Sequence, residues 1–265
     1  MVKGKKKLVD ISDEDKSTES YGRDKTGKII KLEDKGNPES RALKFRIGAV
    51  GLWILAIIFE IVAILRLNNI ITLWPSLDMM WFLIIFILLD LAAFIPGSLL
   101  WKKANHIDPV SEKNPTKFWL VNNLGTVLSV LAFLPIIVAV LMNKNLDSKS
   151  KAIVSVIATL ALLIAGVASY DFNPVSSEQL QRAQAEVSAV SDTGHVYWGK
   201  YSKKYHVDPD CPAFSQSDEI YEGTVAQAFE KGLTDACRRC IPALGEHDHD
   251  HNHNHGGENH DEENN

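Results

Sequence analysis

Leu77-Asp78-Met79-Met80-Trp81-Phe82-Leu83-Ile84-Ile85-Phe86-Ile87-Leu88-Leu89-Asp90-Leu91-Ala92-Ala93-Phe94-Ile95-Pro96-Gly97-Ser98-Leu99-Leu100-Trp101 decides the class of fold. From Met79 to Trp101 Asp90 is the one charged side chain. A helix needs about 20 such residues to cross a hydrocarbon core of about 30 Å. Comparable apolar runs flank it at Ile47–Leu67, Phe118–Met142 and Ala152–Tyr170, so the sequence predicts four transmembrane helices across residues 46–170. Trp53, Trp74, Trp81, Trp101 and Trp119 lie in or beside these runs, mostly near their ends, where amphipathic rings favour the bilayer interface.

Lys and Arg in the flanks set the expected orientation. Arg41, Lys44 and Arg46 precede the first segment, the loop 68–76 has no basic residue, and the second loop carries Lys102, Lys103, Lys113 and Lys117. The N-terminus and second loop are therefore expected inside, and four crossings return the C-terminus to the cytoplasm. Lys144, Lys149 and Lys151 in the third loop run against this pattern, but the contrast between the first two loops is the stronger. No short apolar core follows the basic start, so the first membrane segment is expected to act as the insertion signal.

The chain of 265 residues has a formal charge of −5, which supports no general nucleic-acid binder. Residues 1–45 read as a disordered charged tail: Lys3, Lys5, Lys6 and Lys7 are followed by Asp13, Glu14 and Asp15, with few apolar residues to form a core. Its basic residues offer a weak contact to anionic lipid.

Beyond the membrane segments, residues 171–193 read as a helical connector. Ser176 and Gln179 have capping-box spacing, and Leu180, Ala183, Val187 and Val190 form a stripe suited to the neighbouring domain or, alternatively, to a second copy in a homo-oligomer. Residues 194–245 then read as a small α+β unit. Val196–Gly199, Ser202–Val207 and Glu219–Glu222 are expected strands, and Thr224 with Gln227 caps a helix over 225–231 that Gly232 ends. A unit of this size usually needs a staple, such as a structural metal.

All three cysteines lie in that unit. Tyr205-His206 precedes Cys211 by a short turn, and Cys237-Arg238-Arg239-Cys240 supplies two thiols from one tight loop. Three Cys and one His suit tetrahedral zinc. An odd number of cysteines argues against a disulfide framework, and reduced thiols fit a cytoplasmic face. The alternatives are Asp208, Asp210 or His195 in place of His206, or a redox pair at Cys237 and Cys240 with Cys211 as a buried apolar residue.

The pattern Tyr205-His206 to Cys211-Pro212, a strand, a helix, and Ala236-Cys237-Arg238-Arg239-Cys240 resembles the small metal-binding domain found at the N-terminus of Ada-type DNA-repair proteins. The likeness covers residues 194–244. It implies that fold and a structural zinc on His206, Cys211, Cys237 and Cys240. In Ada domains all four ligands are Cys and one accepts a methyl group. His206 departs from that pattern, so methyl transfer does not carry over.

Residues 246–265 read as a disordered tail in which His247, His249, His251, His253 and His255 alternate with acids and amides, and His260 follows. Such imidazoles bind Zn²⁺, Ni²⁺ or Cu²⁺ exchangeably, or serve only as a solvated tail. Within the membrane segments, Glu60 and Asp90 stand where an acid costs about 2.5 to 3.5 kcal/mol on insertion scales. They suit a cation or proton site facing the bundle interior, with Asn122 and Asn123 as possible partners, or interhelical hydrogen bonds that hold the bundle together.

No nucleophile and base set, phosphate loop or HExxH motif occurs, so the sequence gives an enzyme no residues to work with. The expected function is a multi-pass protein of the cell membrane that displays a cytoplasmic zinc domain to a protein partner, without catalysis. A divalent-metal transporter or sensor using the His-rich tail with Glu60 and Asp90 is the alternative. Nucleic-acid contact through Lys203, Lys204, Arg238 and Arg239 is a third and weaker reading.

Overall fold

The computed structural model describes residues 36–214 and 219–241, together with the backbone of two short strands, β1 (Ser20–Arg23) and β2 (Ile29–Leu32). The His-rich tail and the lysines at 3–7 lie outside the described residues.

Among the described residues, four helices are long and apolar enough to cross a membrane: α1 (Pro38–Leu67), α2 (Met79–Ile107), α4 (Leu124–Met142) and α5 (Ser148–Ser169). Three of them start at a side-chain cap, whereas α4 follows Asn123 without one. Asn37, Asp78 and Asp147 accept hydrogen bonds from the backbone amides of Glu39, Met80 and Lys149, and Pro38 opens α1. The shortest, with 19 residues, is about 29 Å long, close to the hydrocarbon thickness.

Two boundaries differ from expectation. Helix α1 begins at Pro38, well before Ile47, because its first turns are held outside the apolar zone by ion pairs to other elements: Arg41 to Glu230 and Arg46 to Asp108. The third segment is broken into α3 (Pro115–Asn122) and α4 at Asn123. The side-chain amides of Asn122 and Asn123 donate to the carbonyls of Phe118 and Trp119, competing locally with the helical ladder.

The seam of α1 is unusually narrow. Ala49, Trp53, Ala56, Glu60, Ala63 and Leu67 alternate at spacings of four and three, and all are buried. Small residues at such positions let backbones approach closely. Gly97 of α2 lies so near that a Cβ there would meet the Ala49 carbonyl at 3.2 Å and the Trp53 ring at 3.0 Å.

Helix α6 (Ser177–Val190) carries the expected capping box between Ser176 and Gln179. Its Ala183 and Val187 are buried with Val196, Tyr205, Ala228 and Phe229. The connector thus completes the core of the terminal unit, which extends back to Val175; only Val190 of the stripe is left exposed. Strands β3 (His195–Gly199) and β4 (Ile220–Thr224) pair antiparallel, with Val196 opposite Gly223 and Trp198 opposite Tyr221. Val196 and Trp198 face the core, as a period of two requires. Helix α7 (Val225–Glu230) follows with the Thr224–Gln227 capping box, and Gly232 takes the left-handed φ of +79° just beyond it.

The sheet order is β2-β1-β4-β3. Strands β1 and β2 fall within residues 1–45, the segment read from the sequence as a charged tail. Ile29, Ile30 and Leu32 give a local strand preference that charge averaged over the whole segment conceals, and β4 offers an edge to which β1 adds. The expected strand over 202–207 is reduced to single bridges, Tyr197 to His206 and Tyr205 to Ala236.

The terminal unit docks on the bundle end where α1 starts and α2 finishes. Arg41 of α1 forms a two-bonded ion pair with Glu230 of α7, at 2.8 Å for both contacts. Glu178 of α6 accepts from the Ser111 hydroxyl and the Glu112 amide in the loop after α2, and these bonds hold its carboxyl down at about 2.

Candidate metal centre

The backbone bridges that replace the expected strand position the candidate metal ligands. His206 exchanges two hydrogen bonds with Tyr197 of β3, its amide donating at 2.8 Å and its carbonyl accepting at 2.7 Å. Tyr205 receives the Cys237 amide at 2.8 Å and donates to the Asp235 carbonyl at 3.0 Å. Residues 205 and 206 are therefore clamped between β3 and the segment that leads into the Cys-x-x-Cys turn. That turn is closed by the Cys240 and Ile241 amides, both donating to the Cys237 carbonyl at 3.0 Å. Cys211 follows a turn in which its amide reaches the Asp208 carbonyl at 3.2 Å.

The result brings together the four residues that spacing suggests. One ligand atom each from His206, Cys211, Cys237 and Cys240 lies within 4.8 Å of the others, and three of the four residues are buried. Zinc binds sulfur at about 2.3 Å and nitrogen at about 2.0 to 2.1 Å, which sets tetrahedral edges of about 3.6 to 3.8 Å. The Cys240 Sγ to His206 Nδ1 separation is 3.8 Å. That separation lies in the range of such an edge, and the whole set is consistent with a metal site.

The alternatives for the His position fall elsewhere. His195 Nδ1 bonds Glu222 Oε1 at 2.8 Å across β3 and β4. Asp208 Oδ1 caps its own turn by accepting the Asp210 amide at 2.8 Å. The three cysteines are free of disulfides.

The electrostatics of the set suit ligation. Burial lowers the His206 pKa, against the opposing pull of Asp208, and so favours the neutral imidazole, which has a nitrogen lone pair to offer. Burial pushes Cys240 up to about 11. At Cys237 burial acts in the same upward direction, but the amides of Arg239 and Cys240 bond its sulfur and bring the net shift below the ordinary thiol value. A bound divalent cation would hold all three as thiolates, and their protons would leave on binding.

Beside the ligands is a cavity of about 330 Å³ between α6 and the segment around 235–238. Arg182, Glu186, Lys204, Tyr205, Asp235 and Arg238 contribute to its wall. Lys204 and Arg238 thus share a mixed-charge recess with two acids. The sequence reading missed this cavity, since it depends on the docking of α6.

Glu60 and Asp90 lie in the bundle, far from the metal set. They are 7 % and 2 % exposed, so Glu60 does not reach the bundle surface. Glu60 Oε1 and Asp90 Oδ1 have no hydrogen-bond partner. Asn122 and Asn123 do not stand beside them. They occupy the α3 to α4 break at the docked end, where Asn123 Oδ1 accepts the Asp171 amide at 3.1 Å.

No family model matches the chain, and neither a curated protein nor a solved structure matches it.

Proposed function

We propose that this chain is a multi-pass membrane protein that displays, on the cytoplasmic face, a small domain stapled by structural zinc for the binding of a protein partner, without catalysis. The observation that carries the reading is the convergence of His206, Cys211, Cys237 and Cys240 within 4.8 Å. Four protein ligands leave a tetrahedral ion no open position, which is the arrangement of a structural site rather than a catalytic one.

The resemblance to Ada-type metal domains supports the same assignment, with His206 in one ligand position. The cytoplasmic side follows from the basic flanks and from the reducing conditions that three unpaired thiols need. The cavity lined by Arg182, Glu186, Lys204, Tyr205, Asp235 and Arg238 is the partner surface we assign. Charges of both signs in one recess suit a polar peptide segment better than a nucleic-acid backbone, which calls for a uniformly basic surface.

The test is to cross-link the full chain in intact cells from a photoreactive residue at Lys204, and to repeat this with Arg182→Glu and with Cys237→Ser. A discrete adduct lost in both variants supports the reading. An adduct that persists in Cys237→Ser shows that the metal-stapled domain is not what the partner recognises.

A further inference from the structure

A second site lies inside the membrane bundle and does not depend on the metal reading. Glu60 occupies a seam position of α1, between Trp53 and Leu67 in the four-and-three alternation that faces α2. Asp90 sits on the buried face of α2 and is within electrostatic reach of Glu60. From α4, Ile136 is buried in the same core. Ile136 follows Pro135, whose ring interrupts the helical ladder at that level.

Each acid nevertheless retains an oxygen without a partner, and both side chains are more than nine-tenths buried. Two orphaned carboxylate oxygens in hydrocarbon surroundings call for a cation. No basic side chain supplies it. Among the described residues α4 has no charged group, the basic residues of α5 are Lys149 and Lys151 in its first turn, and Arg66 of α1 donates to the Leu73 carbonyl. At the other end of the bundle, Lys102 of α2 donates to the Ala168 carbonyl.

The chemistry favours the proton over a metal ion. Hard cations take six or more oxygens, whereas the neighbours of this pair in the core are apolar, including Ala56, Ala63, Ile87, Phe94, Phe133 and Ile136. A proton needs only one carboxyl to hold it and a second to share it.

Polar groups lie between this pair and the docked end. On the same face of α2, Ser98 and Asn105 follow Asp90 at about 12 Å and about 22 Å along the helix. Ser98, Ser169 and the bare Cα of Gly125 meet at one point: a Cβ on Gly125 would lie 2.8 Å from Ser98 Oγ and 3.0 Å from Ser169 Cβ. Asn105 Oδ1, Asn122 Oδ1 and Ser169 Oγ are all buried and unpartnered. Such atoms are where ordered water sits. Phe94, packed on Trp53 and Phe133, closes the interval between this polar group and Asp90.

We propose that Glu60 and Asp90 form an intramembrane proton-binding site that exchanges with the bundle end carrying the metal domain, through the polar group around Ser98, Asn105, Asn122 and Ser169. The test uses the full chain in lipid vesicles and an apolar carbodiimide, which adds whole to a protonated carboxyl within a bilayer to give a stable acylurea. Intact mass and peptide mapping locate the adduct.

The expected result is one adduct per chain, on Glu60 or Asp90, formed at a rate that is lost as the pH is raised and regained on return to acid. Sodium in place of choline at fixed pH leaves the rate unchanged. Asn105→Leu slows the recovery, and Glu60→Gln or Asp90→Asn displaces the pH response of the remaining acid. If a variant fails to fold, the wild-type pH profile still decides. A rate that does not vary with pH means a fixed structural proton and overturns the proposal. Protection by sodium overturns it in favour of a metal-cation site, and the absence of adduct in folded protein that labels once unfolded overturns it as well.

Discussion

Replacing Val187 by Ala tests whether α6 is part of the terminal domain. Val187 is fully buried against Val196, Tyr205 and Phe229, whereas Val190, one turn on in the same helix, is 53 % exposed. Removing two buried methyl groups forfeits about 1.6 kcal/mol of transfer free energy at about 0.8 kcal/mol per carbon. The cavity left behind raises the cost to about 2 to 3 kcal/mol. Val190→Ala removes little burial and slightly favours the helix, so its effect stays within about 0.5 kcal/mol. The three cysteines are the only ones in the chain and all lie in this domain, and Cys211 and Cys237 are buried, so the reaction of these two with a thiol reagent in metal-free protein, located by peptide mapping, reports opening of the domain. When closing outpaces modification, a loss of 2 kcal/mol raises the reaction rate by about 30-fold. Equal rates for Val187→Ala and Val190→Ala would refute the reasoning.

Other outcomes follow from single contacts. Glu230→Gln breaks the two-bonded pair with Arg41 and is expected to cost about 2 to 3 kcal/mol, seen as faster amide exchange in α7 and the first turns of α1; unchanged exchange would contradict the docking described here. Gly125→Ala forces a Cβ to 2.8 Å from Ser98 Oγ and lowers bundle stability by about 1 to 3 kcal/mol, while Gly51→Ala, which meets nothing within 4 Å, does not; thermal unfolding in detergent compares them. Burial raises the metal-free Cys240 thiol from 9.0 to about 11, so binding at neutral pH expels its proton; calorimetry in buffers of different ionisation heat measures that release, and a buffer-independent heat would contradict it. In metal-free protein the same raised value favours folding below about pH 9, and that contribution is lost as pH rises through about 11.

What the sequence carries most clearly is what short spacing encodes. The four apolar runs, the capping boxes at Ser176 and Thr224, the stop at Gly232 and the His206, Cys211, Cys237 and Cys240 set depend on residues near one another or on side-chain chemistry too specific to mistake. Boundaries set by distant partners are not legible. The early start of α1 is tied to Glu230, which is 189 residues away. The alternation over Ser202–Val207 suggests a strand, but the backbone there is shared between Tyr197 on one side and Ala236 on the other, leaving single bridges that serve the metal ligands. Asn122 and Asn123 are hidden in an apolar average, though their preference for bonding their own backbone marks the break between α3 and α4. The alanines at 42, 49, 56 and 63 are a signal present in the sequence and visible once every seventh residue is compared, and they identify the α1 face that carries Glu60.

The most direct test of the central claim is the metal content of the purified chain lacking residues 246–265, so that the imidazole-rich tail contributes nothing. Elemental analysis of the wild-type sequence beside Cys237→Ser is expected to find one zinc per chain, lost in the variant together with protection of the two remaining thiols. A folded protein without stoichiometric metal, or a zinc that survives Cys237→Ser, would contradict the account.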